Sequence, residues 1–292
     1  METSTCSMCS APTFLCQCDS SWSTYESFLG ECKAGIVRDA IEPFTHSAIS
    51  VSTMTICFRF NQPIDLERFY EFLPKDIVIY KPSSKKSRVR KKKGTDTFYN
   101  SFEIKLNVCD YSTSPNIFSN VSIFLFPNGK AKVAGVKTIN TINITIAILI
   151  DLITEAIDLE KELVANNIKI QMICSDFKIK PIRDSVDGWC VRQEDIKNSI
   201  VEKGYSATFS PLNRYPGINA KLPSLVNTSK QVTILLFRSG SVIITGAKNA
   251  QDIANCYRFV IDLFQESKKN FFYYDINEEI KKKKKKNNNG VS

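Results

Sequence analysis

The sequence predicts an α+β fold, a two-fold pseudo-repeat that forms one curved antiparallel sheet (a saddle) with two long helices on the convex face. Three observations support this fold class. A strand–turn–strand segment occurs twice, similar strands precede both copies, and a segment with helical periodicity follows each copy. Such an arrangement leaves the sheet face opposite the helices exposed. Sheets of monomeric proteins rarely expose a whole face unless it binds a partner.

The repeated segment reads as a β-hairpin. VSIFLFPNGKAKVAGVK (residues 121–137) and VTILLFRSGSVIITGAK (residues 232–248) are identical at seven of seventeen positions, at a constant offset of 111. Asn128-Gly129 and Ser239-Gly240 separate the two apolar runs of each copy, and Gly-containing pairs of this kind favour tight hairpin turns. The repeat therefore indicates duplication of one structural unit.

The flanking segments extend the repeat on both sides. Alternating apolar and polar residues predict strands at 99–106 and 215–222, and β-branched residues predict earlier strands at 49–60 and 168–179. Helical spacing of apolar residues predicts a short helix at 64–73 and long helices at 140–164 and 250–265. Each half thus reads as strand, short helix, several antiparallel strands and long helix.

The same patterns divide the chain into segments. Residues 1–45 form a cysteine-containing N-terminal extension, predicted to be flexible, and residues 46–165 form the first repeat with a basic insert at 81–93. Residues 166–270 form the second repeat, and residues 271–292 form a tail rich in lysine and asparagine.

Charge is unevenly distributed along the 292 residues. The net charge is +9, but residues 81–93 contribute eight basic residues and residues 281–286 six, so the remainder carries 9 − 14 = −5. A basic run of this kind is either a solvated loop, a nuclear-localisation signal or an arm that binds phosphates, and the sequence leaves these alternatives open. No apolar run is long enough for a membrane span, and no secretory signal is visible, so an intracellular protein is expected.

Cofactor and catalytic motifs are weak in this sequence. Cys6, Cys9, Cys16 and Cys18 are the one metal-like cluster, with Cys32 as a substitute ligand, but a single residue between the second pair strains tetrahedral chelation. We therefore expect no structural zinc. The chain has one histidine and no P-loop, GxGxxG or HExxH motif, which predicts a protein without cofactors that is not an enzyme.

Three segments resemble the TATA-box-binding protein (TBP) family. Residues 237–248, FRSGSVIITGAK, are similar to the family's F-x-S-G-K-x-V-x-T-G-A-K strand pair. Residues 215–218, YPGI, resemble its F-P-G-L, and residues 168–171, IKIQ, resemble the opening of its second repeat. The resemblance covers roughly residues 47–268, and the sequence resembles the divergent versions in large DNA viruses more than a cellular copy.

The resemblance implies a saddle whose concave sheet widens and bends the DNA minor groove, with aromatic side chains wedged between base steps. The wedge positions correspond to Tyr99, Phe126, Tyr215 and Phe237, where both tyrosines replace family phenylalanines. The groove-facing positions correspond to Phe124, Lys132, Ala134, Leu235, Ile243 and Thr245. The phosphate-contacting positions correspond to Lys105, Lys130, Lys137, Lys221 and Lys248, whereas Ser241 replaces a family lysine.

The sequence also departs from the family where base edges are read. Lys132 replaces a family valine, and Ile49 and Met172 replace the paired asparagines that contact central base pairs. The resemblance implies a general transcription initiation factor that binds AT-rich double-stranded DNA and recruits a B-type initiation factor or RNA polymerase machinery, in the nucleus or a cytoplasmic viral factory. These departures keep open the alternative of a degenerate saddle that docks proteins without bending DNA.

Overall fold

The computed structural model describes residues 32–74, 76–80, 101–182, 188–210 and 216–279. Within these ranges the chain forms two compact units, unit 1 from residues 53–172 and unit 2 from residues 32–52 and 173–279. The units cross the sequence halves, since residues 32–52 belong with the second repeat. The four N-terminal cysteines, the basic insert, the lysine tract and the two wedge tyrosines lie outside the described residues.

Unit 1 is an antiparallel sheet packed beneath helices. Its elements are β3 (Ser50–Phe60, from residue 53), α1 (Leu66–Phe72), β4 (Val78–Tyr80), β5 (Phe102–Asp110), β6 (Ile117–Leu125), β7 (Lys130–Val136) and α2 (Ile139–Ala156). The strand order is β3-β7-β6-β5-β4, and successive residues alternate between a buried side and a more exposed side. Ile123 and Val133 are fully buried, as are Ile146 and Leu149 of α2, so the core lies between the sheet and α2.

Unit 2 repeats this arrangement and adds strands. Its elements are β1 (Gly35–Val37), β2 (Phe44–His46), the end of β8 (Ala165–Pro181, from residue 173), β9 (Trp189–Val191), α3 (Gln193–Glu202), β10 (Ser206–Thr208), β11 (Gly217–Pro223), β12 (Gln231–Phe237), β13 (Ser241–Ala247), α4 (Ala250–Gln265) and β14 (Phe272–Tyr274). The sheet runs β10-β11-β12-β13-β8, β2 pairs with β8, and β1 pairs with β2, while β9 and β14 form a separate pair. Helix α4 starts at the Asn249 cap, which accepts from the Asp252 amide.

The duplicated hairpins have identical registers. Phe124 pairs with Lys132 in unit 1, and Leu235 pairs with Ile243 in unit 2, each at the predicted offset of 111. The turn glycines, Gly129 and Gly240, adopt φ of +78° and +76°. A side chain there would also collide with a backbone carbonyl, that of Gln62 at Gly129 and that of Ile179 at Gly240, so both conformation and space require glycine.

Helix α2 is shorter than predicted. The sequence pattern predicts a helix over 140–164, but α2 ends at Ala156 and residues 158–164 are not helical. The Asn61 side chain explains this difference, because its Nδ2 donates to the Glu162 carbonyl (2.9 Å) and its Oδ1 accepts from the Val164 amide (3.0 Å). These bonds hold the segment extended before β8 begins.

Helix α2 is also unusually apolar. Of the helices that the structure describes, it alone has the length and composition of a membrane-spanning segment, a property shared by core helices of soluble proteins. Its buried side packs on β5 and β7 within unit 1.

Candidate nucleic-acid interface

Each unit has a sheet face that its helices do not cover, and we call it the open face. In unit 1 it contains Phe124 and Ala134, both half-buried, and the exposed Lys132. Lys132 pairs with Phe124 on one side and with Cys57 of β3 on the other. The groove-facing positions expected in the first repeat therefore share one face, with an ammonium group in their middle.

The open face of unit 2 is more apolar at its centre. Leu235 and Ile243 pair directly across β12 and β13, and both are half-buried. Thr245 pairs with Thr233, and its hydroxyl lies 3.0 Å from the Cys174 sulfur of β8. The groove-facing positions expected in the second repeat are thus neighbours on one face.

Phe126 and Phe237 occupy equivalent places at the ends of the two open faces. Each is half-buried and directly precedes a hairpin turn. The Phe126 carbonyl accepts from the Gly129 amide at 3.0 Å, and the Phe237 carbonyl accepts from the Gly240 amide at 2.9 Å. The tight turns therefore fix the backbone of both expected wedges.

A feature that sequence reasoning missed supports the turn after Phe237. The Arg238 side chain lies over the Tyr273 ring, donates from Nε to the Tyr273 hydroxyl at 2.7 Å, and forms an ion pair with Asp275. The Arg238 carbonyl also accepts from the Val191 amide at 2.9 Å. The β9–β14 pair therefore braces this turn, and its three-residue strands left no readable periodicity in the sequence.

The five lysines expected at phosphates differ in their surroundings. Lys105, Lys130 and Lys248 have exposed side chains. Lys137 is also exposed, but its ammonium donates to the Phe118 carbonyl at 3.1 Å, and the half-buried Lys221 donates to the Thr233 hydroxyl. Lys105 pairs with Ser122 and Lys221 pairs with Thr233, and these two partners are 111 residues apart, so the repeat preserves the placement of the lysines.

Two carboxylates on the open faces were not predicted. In unit 1, Glu103 pairs with Phe124, and in unit 2, Asp176 pairs with Ile243. Because residues paired across an antiparallel ladder point to the same side, both carboxylates share the face of the expected groove-contacting residues. For Asp176 the signal in the sequence is the alternation of apolar and polar residues along β8. Asp176 lies 119 residues after Cys57 of β3, which occupies the equivalent place in unit 1.

A cavity opens beside Asp176 in unit 2. Its volume is about 370 Å³, and its polar lining includes Ser50, Ser52, Lys178 and Ser241. The Ser50 and Ser52 hydroxyls both donate to Oδ1 of Asp176, at 3.2 Å and 2.5 Å. Among the described residues, no hydrogen-bond donor contacts the other carboxylate oxygen, Oδ2.

The described residues contain no group of three or more side chains placed to hold a metal ion. Cys32 is buried, at 2% exposure, and its carbonyl accepts from the Ile49 amide at 3.1 Å. The cysteines at 6–18 fall outside the described ranges, so their distances from Cys32 are not defined. The expectation of no structural zinc stays a prediction.

Comparison with known proteins agrees with this architecture. The family model described as "Transcription factor TFIID (or TATA-binding protein, TBP)" matches residues 199–267. A protein of Acanthamoeba polyphaga mimivirus, called "TATA-box-binding protein-like", is 25% identical over 240 residues, which cover 73% of this chain and 64% of that protein. The alignment therefore spans slightly less than two thirds of the viral relative.

A solved structure extends the comparison to the fold. The TBP of Methanococcus jannaschii matches with a TM-score of 0.50 at 20% identity, covering 75% of this chain and 99% of the archaeal chain. This likeness shows the fold and confirms the two-repeat α+β class predicted from the sequence. The family match over residues 199–267 and the viral relative make the chain similar in sequence as well to the TATA-box-binding protein family.

Proposed function

We propose that this protein is a transcription initiation factor that binds and bends AT-rich DNA by presenting the open face of each unit to the minor groove. The observation that carries the proposal is that both open faces have the same strand register. Phe124 pairs with Lys132 in unit 1, and Leu235 pairs with Ile243 in unit 2. Apolar side chains on an uncovered sheet face favour a partner that offers few hydrogen-bond donors, as the minor groove does.

The flanking groups support the same ligand. Exposed Lys105, Lys130 and Lys248 can neutralise phosphates along the groove. Phe126, directly after β6, and Phe237, at the end of β12, are the proposed wedges that unstack base steps, and deformable TA steps make that insertion least costly. Recruitment of a B-type initiation factor or of RNA polymerase machinery is part of the proposal and rests on the similarity to the TATA-box-binding protein family.

A protein-docking scaffold is the second candidate function. The observation in its favour is charge on the open faces, because Glu103, Lys132 and Asp176 would each lose hydration inside a narrow groove. A scaffold of this kind would contact a protein through these charges and leave DNA unbent.

Binding to a labelled AT-rich duplex, followed by fluorescence anisotropy, tests the first proposal. Leu235→Glu places a charge at the centre of the unit 2 open face and should weaken binding by roughly tenfold or more, because the carboxylate is desolvated there. Val201→Glu adds the same charge at a 49% exposed apolar site of α3 and should bind like the wild type. Equal binding by both variants would contradict the assignment of the open face, and no binding by the wild type would favour the scaffold.

A further inference from the structure

The two units differ at one matched position of their open faces. In unit 1, one row of paired residues crosses three neighbouring strands: Phe124 of β6, Lys132 of β7 and Cys57 of β3. The corresponding row in unit 2 is Leu235, Ile243 and Asp176, across β12, β13 and β8. Asp176 is therefore the repeat counterpart of Cys57, and a carboxylate stands in one unit where a thiol stands in the other.

The environment of Asp176 orients its carboxylate. Oδ1 receives the hydroxyl hydrogens of Ser50 and Ser52, so this oxygen is occupied and the group's rotation is restricted. Oδ2 has no donor among the described residues, and Asp176 is one of the residues that line the cavity of about 370 Å³. The carboxylate is half-buried in the same row as Leu235 and Ile243, so a ligand on the open face would meet Oδ2, to which no described residue donates.

The chemistry of the minor groove makes this acceptor selective. Both A·T and T·A pairs present only acceptors there, adenine N3 and thymine O2, which a carboxylate oxygen repels. A G·C pair adds the guanine N2 amine, the one hydrogen-bond donor on the groove floor. A carboxylate on a groove-facing sheet therefore penalises A·T pairs at its own position and accepts from guanine.

We propose that Asp176 reads the N2 amine of a guanine, so that the DNA site contains one preferred G·C pair in the half contacted by unit 2. The inference rests on the proposed DNA binding and refines its specificity. Since Cys57 cannot act in the same way, the preference belongs to one half-site only. A single G·C pair would then orient a protein whose two repeats otherwise present similar faces.

Competition anisotropy with the full chain tests this proposal. The reference duplex contains only A·T pairs and a TA step, and a set of duplexes carries a single G·C pair at each successive position. We expect one position at which G·C binds about tenfold more tightly than A·T, the ratio expected for one hydrogen bond to a charged group. Replacing that guanine by inosine, which lacks the amine, should remove the gain, and 2,6-diaminopurine opposite thymine should restore it.

Variants separate readout by Asp176 from effects of DNA stiffness. Asp176→Asn should bind the all-A·T duplex more tightly and lose most of the amine preference. Asp262→Asn removes the same charge from an exposed position on α4 and should keep the wild-type preference. Cys57→Asp should create a second preferred position in the other half-site.

The outcomes distinguish failure of the inference from failure of DNA binding. If the wild type binds every duplex but no position prefers the amine, or if the preference persists in Asp176→Asn, the role of Asp176 is wrong while DNA binding stands. If the wild type binds none of the duplexes, the proposed function is wrong and the inference falls with it.

Discussion

The Thr138 hydroxyl donates to Oδ2 of Asp110 over 2.5 Å and thereby joins the end of β5 to the first turn of α2. Asp110 is fully buried and also accepts from the Ser112 amide, the Ser112 hydroxyl and the Asn140 side chain. Thr138 is itself the N-cap of α2 and accepts from the Thr141 amide at 3.0 Å. One carboxylate thus fixes both the β5–β6 loop and the start of the helix.

This arrangement predicts a pH-dependent contribution to stability. Burial opposes ionisation of Asp110, but the hydrogen bonds from Ser112, Thr138 and Asn140 outweigh it and lower the pKa to about 2 from an ordinary value of 3.8. The contribution is therefore present above pH 3.8 and is lost as the pH falls through about 2. Asp110→Asn should lower the free energy of unfolding by about 2 kcal/mol near neutral pH.

Urea unfolding at neutral and acidic pH checks this contribution. The difference between the wild type and Asp110→Asn should shrink as the pH falls from 3.8 towards 2, because the carboxylate of the unfolded chain is protonated in this range while that of the folded protein stays ionised. Asp151→Asn, which changes an exposed carboxylate on the same helix, should have little effect at either pH. A constant difference across the pH range would mean that Asp110 acts through packing and not through charge.

The duplicated hairpins and α4 are the parts that the sequence predicts best. Gly129 and Gly240 occupy positive-φ turns between strands with clear alternation, so local chemistry and tertiary structure agree. Helix α4 spans Ala250–Gln265 as predicted, because its apolar side and the Asn249 cap both mark its limits. Local signals were sufficient for these elements.

The remaining elements depend on contacts that no local pattern encodes. The end of α2 is set by Asn61, about a hundred residues earlier in the chain, and β9 and β14 are strands of three residues each. Asp176 was missed for a different reason. The residues that resemble the family motif do not include Asp176. Its place on the open face follows only from the β13–β8 register, which pairs it with Ile243.

The basic insert should act on DNA through charge alone. Deleting residues 81–93 should weaken binding to all duplexes alike and flatten the salt dependence, since each neutralised phosphate contributes roughly −0.9 to the log–log slope. Replacing the six lysines at 281–286 by glutamine gives a comparison with the other basic run. An unchanged slope after the deletion would show that the insert does not contact DNA.

The N-terminal cysteines should leave the protein free of structural zinc. Metal analysis of protein purified without chelator should find well under one equivalent, because the Cys16–Cys18 spacing strains simultaneous binding by both thiolates. Near-stoichiometric zinc that disappears in a Cys6→Ser, Cys9→Ser double variant would overturn this expectation.

Sequence discrimination should be loose apart from the one G·C position. The resemblance implies that Ile49 and Met172 replace asparagines of the family, and neither side chain can donate a hydrogen bond to a base acceptor. Selection from random duplexes should return an AT-rich consensus that contains flexible TA steps. A sharply defined central element would instead indicate that other side chains, Lys132 foremost, read the bases directly.

Bending of an AT-rich duplex tests the central claim most directly. The end-to-end distance of a duplex labelled with a fluorophore pair should shorten when the wild type binds. The Phe126→Ala, Phe237→Ala double variant should abolish this shortening, because each ring offsets an unstacking cost of a few kcal/mol. Phe72→Ala, which removes a 46% exposed ring from α1, should bend DNA like the wild type. Shortening by the double variant equal to that of the wild type, or no shortening by the wild type while it is bound, would contradict the account.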